Sequence, residues 1–161
     1  IPKKIFLDNQ KNLRSIGVLK IYVIASVWTG VTVFLPLLNN QFEVTDDVII
    51  TALQRFLFVL VLMLPFEIRD LNYDSLKLAT IPQKIGVKST KIMGLLLLVG
   101  FYLLNYFKDN ISKENLVSYL MVSLITLLFL VCAKKNQSKN YSAFWVESIP
   151  LMWLVVLLLI R

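Results

Sequence analysis

Glu67, Asp70 and Asp74 are the residues of this chain whose type and spacing could do chemistry. They belong to the run Pro65-Phe66-Glu67-Ile68-Arg69-Asp70-Leu71-Asn72-Tyr73-Asp74, where a long apolar stretch passes into three regularly spaced acids. On a helix turning about 100° per residue they fall within an arc of roughly 60°, on one face. Carboxylates crowded at the mouth of an apolar segment lose hydration and repel one another, which costs free energy. A hard divalent cation relieves that cost, and Mg²⁺ is commonly held by one or two carboxylates together with substrate phosphates. The spacing therefore points to a metal–phosphate site. The plainer reading is a solvated loop in which Asp70 and Asp74 pair with Arg69, Lys77 or Lys84, contacts worth under about 1 kcal/mol each.

The elements that must position these acids are membrane spans. Of 161 residues, 57% are hydrophobic and 17% are charged, more apolar than a soluble domain. Five apolar stretches approach the roughly 20 residues needed to cross a bilayer, at about 16–38, 47–66, 90–107, 116–133 and 141–160. Inside lipid each must be helical, because its backbone groups find no other partners. The expected fold is all-α: a polytopic transmembrane helical bundle of five spans in one membrane domain, 1–161.

The formal net charge of +7 could suggest nucleic acid, but its distribution argues otherwise. Lys3, Lys4, Lys11, Arg14 and Lys20 precede the first span. Arg69, Lys77, Lys84, Lys88 and Lys91 follow the second, and Lys134, Lys135 and Lys139 follow the fourth. The alternate loops hold only Lys108 and Lys113, beside Glu43, Asp46, Asp47, Asp109 and Glu114. That asymmetry predicts the N-terminus and the acidic face in the cytoplasm and the C-terminus outside. No nucleic-acid partner is expected. The absence of histidine removes the usual general base and zinc ligand, and the single Cys132 excludes an intrachain disulfide.

Within the spans, Arg55 and Glu147 are the intramembrane charges. Such residues are functional candidates, although Arg55 could also snorkel to the outer headgroups. Their depths differ by roughly 9 Å on the helical rise, which disfavours a direct pair. Pro36 is expected to end or kink the first helix, with Asn39-Asn40 as its turn. Thr80-Ile81-Pro82 is expected to break any helix, and Gly86 to serve as a turn or cap. The third and fourth spans read as aliphatic scaffold.

The stretch from Pro65 to Gly86 resembles the second aspartate-rich region of the UbiA-type intramembrane prenyltransferases, a D-x-x-D-x-x-x-D pattern followed by an R-T-L-P-like loop and a glycine. Glu67 stands at the first acid, and Asp70 and Asp74 match the next two. Thr80-Ile81-Pro82 and Gly86 match the loop, with Ala79 in place of its basic residue. The family has nine helices, so this chain would correspond to helices five to nine. It would then be the C-terminal half of a protein of about twice the length, and inactive alone. The first motif, N-D-x-x-D-x-x-x-D, is absent from these residues and would lie in the missing N-terminal half.

The resemblance implies Mg²⁺-dependent transfer of a prenyl group from a prenyl diphosphate to a lipophilic acceptor within the bilayer, in a bacterial inner membrane. Asp70 and Asp74 would be metal ligands supported by Glu67, and Arg14, Lys20 and Lys77 would contact the diphosphate. A CDP-alcohol phosphotransferase also carries paired aspartates at a membrane mouth, but its D-G-x-x-A-R element is missing. The other alternative is a non-catalytic membrane subunit or transporter part with a solvated acidic loop.

Overall fold

The computed structural model describes residues 17–71, 80–109, 112–138 and 141–160. All regular structure among them is helical. Helix α1 (Gly17–Thr29) passes through a π-helical turn (Gly30–Phe34) into α2 (Leu35–Asn39). It is followed by α3 (Asp46–Asp70), α4 (Ile81–Leu103) with a 3₁₀ turn (Leu104–Phe107), and α5 (Lys113–Cys132). A second π-helical turn (Tyr141–Val146) leads to α6 (Ile149–Ile160).

Among the described residues four helical segments are long and apolar enough to cross a membrane: Leu19–Asn39, Asp46–Asp70, Ile81–Phe107 and Lys113–Cys132. The fifth expected span is a shorter apolar helix, Phe144–Leu159. Its π turn is separated from α6 by a turn at Glu147-Ser148, and α6 itself has 12 residues, about 18 Å of helix. Pro150 stands near the start of α6, where its missing N–H breaks no helical bond.

Helix α3 is the hub, packed against α1, α4 and α5. One apolar cluster joins Ile21 and Ala25 of α1 to Val61, Leu64 and Ile68 of α3 and Leu130 of α5. A second joins Phe58, Phe101, Val122, Val146, Ile149 and Trp153. Gly94 lets α4 approach closely: a methyl there would meet Leu130 and lie 2.9 Å from Leu64 Cδ1. Side-chain bonds pin the two ends of the bundle. Gln137 Nε2 donates to Pro65 O (2.9 Å) at one end, and Asp109 N donates to Asp47 Oδ1 (3.1 Å) at the other.

Two boundaries differ from the sequence expectation. Helix α3 does not stop at Phe66 but continues through Pro65 and the first two acids to Asp70. Proline removes one backbone donor there, and dense packing of Leu64 and Ile68 holds the helix together. Thr80-Ile81-Pro82 does not break a helix but starts one. Thr80 is extended at the N-cap, its N–H donates to Gln83 Oε1 (3.1 Å), and Pro82 occupies the first turn. Gly86 is the true interruption, with φ 81° and ψ 158° inside α4. Pro36 sits in the first turn of α2, just after the π turn, and the helix ends at Asn39.

Candidate functional site

A cavity of about 700 Å³ lies alongside α3. Its α3 wall is Arg55, Phe58, Val59, Leu62, Met63 and Phe66, the three-and-four spacing that keeps side chains on one stripe. Trp28 and Thr32 close it from the first helix, and Val146, Glu147, Pro150 and Leu151 from the last segment. From Arg55 to Phe66 the stripe is about 16 Å long by the helical rise.

The acids follow directly on this stripe. Glu67 lies one helical turn beyond Met63, and Asp70 one turn beyond Phe66. Glu67 is buried, with 6% of its surface exposed. Asp70 is half-buried, and Arg69 Nε donates to its Oδ1 at 2.7 Å. The Arg69 guanidinium lies 5.4 Å from the centroid of the Phe66 ring, which lines the cavity. The lining ends at Phe66, and Glu67, Arg69 and Asp70 follow it within the next turn of α3.

Of the expected site residues, Glu67 and Asp70 are brought to one end of α3. Lys20 is exposed on α1, next to Ile21, which shares a buried cluster with Ile68 and Ile81. Asp74, Arg14 and Lys77 lie outside the described residues. Among the described residues no three His, Cys, Asp or Glu side chains converge. Glu67 and Asp70 stand about one turn apart on α3, and Mg²⁺ commonly takes one or two carboxylates with substrate phosphates completing its shell.

At the other end of the cavity is a feature that single-residue reading did not assemble. Arg55 lies with its guanidinium carbon 4.8 Å from the centroid of the Trp153 ring, a cation–π contact. Its Nε is buried without a hydrogen-bond partner among the described residues. Glu147 lines the same cavity but makes no ion pair with Arg55. Behind Arg55, Phe58, Phe101, Tyr119 and Trp153 pack ring against ring at 5.2–6.0 Å. The signal available in the sequence was the pair of intramembrane charges; that they share a cavity follows from the packing of the last segment beside α3.

Outside the spans, Lys108 sits over the Tyr119 ring, with Nζ 5.3 Å from its centroid. Burial pushes its pKa down, opposed by the nearby Asp47 carboxylate and reinforced by Arg55.

Comparison of the chain with protein-family models, with curated proteins and with solved structures returned no match.

Proposed function

We propose that this chain forms part of an intramembrane prenyltransferase that uses Mg²⁺ to act on a prenyl diphosphate. The observation that carries this reading is the continuity of the apolar stripe Arg55–Phe66 with Glu67 and Asp70. An amphiphile with an apolar chain and an anionic head matches that sequence of environments. Its chain would lie along Phe58, Leu62 and Phe66, and its head would meet the acids through a divalent cation.

Glu67 and Asp70 would hold the metal, joined by Asp74; bound Mg²⁺ would neutralise charge developing on the departing diphosphate. Lys20, with Arg14 and Lys77, would supply charge-assisted donors to phosphate oxygens. The bond between the prenyl carbon and the diphosphate oxygen breaks, with its electron pair leaving on the diphosphate. Trp28, Phe58 and Phe66 line the cavity and would exclude water and favour the allylic cation. A lipophilic acceptor then forms the new carbon bond and releases a proton. The acidic end would face the cytoplasm, as the lysine and arginine asymmetry requires.

One observation favours a second reading, a non-catalytic membrane subunit: Asp70 already has a partner in Arg69. Exposed pairs of this kind are common and weak, so a metal can compete for the carboxylate. The discriminating experiment is binding of farnesyl diphosphate to the purified protein in nanodiscs, with Mg²⁺ and with EDTA. Saturable binding that requires Mg²⁺ supports the transferase reading. Binding indifferent to Mg²⁺, or none, favours the subunit.

A further inference from the structure

Arg55 and Glu147 are opposite charges that line one apolar cavity without pairing. A charge held in such surroundings is costly unless something neutralises it. The Trp153 ring face satisfies only part of the guanidinium, and the Arg55 Nε donor remains open among the described residues. Glu147 is exposed, between Val146 and Ser148 and one residue before Ile149-Pro150. It has no ion pair or hydrogen bond among the described residues. The two charges ask for one ligand that carries both complements.

We propose that this cavity binds, between Arg55 and Glu147, the headgroup of a zwitterionic phospholipid with a primary amine, of the phosphoethanolamine type. Arg55 holds the phosphate, whose oxygens suit the planar fork of guanidinium donors. Glu147 accepts from the ammonium, which offers three N–H donors. An acyl chain extends over Val59 and Leu62. Arg55 lies nine residues from Asp46, about 13 Å along α3 from the end where Asp47 and Asp109 meet, deep enough that a charged ligand there is held by the protein and not by the bilayer surface. Arg55 lies at the end of the α3 wall opposite Glu67, so this site goes beyond the prenyl-diphosphate reading and does not depend on it.

Native mass spectrometry of the detergent-purified protein tests this, titrating phosphatidylethanolamine, phosphatidylcholine and phosphatidylglycerol with identical acyl chains. Methylation removes the amine donors in the second, and the third has no cation. The expected order is tightest retention of phosphatidylethanolamine. Arg55→Gln and Glu147→Gln should each weaken it about tenfold, the worth of one charge-assisted contact. The double variant should be little weaker than either single one, because each loses the same bridge. Equal retention of the three lipids by the unmutated protein overturns the proposal without any variant. So does unchanged retention in either single variant that keeps its helical circular dichroism. Because no Mg²⁺ or prenyl diphosphate is present, failure here leaves the transferase reading standing, and the reverse.

Discussion

The Arg55 guanidinium lies 4.8 Å from the centroid of the Trp153 ring, and the Trp153 indole Nε1 donates to Ser118 Oγ at 3.0 Å. One side chain thereby satisfies a cation with its face and a buried hydroxyl with its edge. The ring is 7% exposed and meets Phe58 and Tyr119 at 5.2 and 5.3 Å. Helix α6 is fastened to α3 and α5 through this residue, although it is too short to cross a bilayer by itself.

Trp153→Ala should therefore destabilise the bundle by about 3–5 kcal/mol, as removal of a buried aromatic does. Trp153→Phe keeps most of the packing and the ring face but loses the donor to Ser118, and should cost about 1 kcal/mol. Equilibrium unfolding in mixed micelles measures both. Equal losses in the two variants would show that packing is not what anchors α6.

Glycines separate in the same assay. At Gly94 a methyl group runs into Leu130 and Leu64, at the point where α4 meets α3 and α5. Gly94→Ala should cost about 1–3 kcal/mol, the usual effect of overpacking. At Gly30 nothing lies within 4 Å of the added carbon, so Gly30→Ala should be neutral or stabilise by up to about 1 kcal/mol. A Gly94→Ala protein as stable as the parent would show that α4 can move away freely.

Gly86 carries a different constraint. Its φ of 81° and ψ of 158° belong to a region that only glycine enters readily. Thr90 Oγ1 donates to its carbonyl at 2.8 Å, holding the next turn in place. Gly86→Ala should cost about 1–3 kcal/mol, through backbone strain, since no atom crowds the site. The check is its comparison with Gly94→Ala: trimming Leu130 to Ala should rescue Gly94→Ala but not Gly86→Ala.

These residues show what the sequence made legible. Apolar runs located four spans to within a few residues, except the start of α4, because hydrophobic length is a property of composition. Gly86 was legible as a turn. The role of Thr80-Ile81-Pro82 was not, because the residues that break a helix interior are also those that begin one. The turn at Glu147-Ser148 falls on the polar pair of an otherwise apolar stretch, whose overall hydropathy reads as a single span. For the site, the face shared by Glu67 and Asp70 followed from helical period. The cavity leading to them did not, because its walls come from elements more than 80 residues apart, Glu147 and Pro150 facing Phe58 and Phe66.

Lys108 gives a pH dependence with a definite sign. Burial lowers its folded pKa, against a partial rescue by Asp47. Between that lowered value and the ordinary value of about 10.4, the unfolded chain binds more protons than the folded one. Stability should then rise with pH across this alkaline window, and the contribution vanishes above it. Lys108→Met should flatten the slope just below the ordinary lysine value of about 10.4. A slope that persists in the variant would assign it to other groups. Asp47→Asn should steepen it, since the carboxylate that favours the charged amine is lost.

The acidic end makes the sharpest claim on function. Asp70→Ala removes the partner of Arg69, but the pair is part-exposed, at 20% and 27% of the side chains, so the cost in stability should stay below about 1 kcal/mol. If Asp70 and Asp74 are metal ligands, Asp70→Ala and Asp74→Ala should instead abolish Mg²⁺-dependent prenyl transfer by the full-length protein at unchanged expression. Asp70→Asn refines the test, because it retains a hydrogen-bond acceptor for Arg69 but loses the negative charge that a hard cation needs. Transfer lost in Asp70→Asn with stability intact separates metal binding from the ion pair. Unchanged turnover in both alanine variants would remove the metal assignment and leave the Arg69–Asp70 pair as a surface contact at the end of α3.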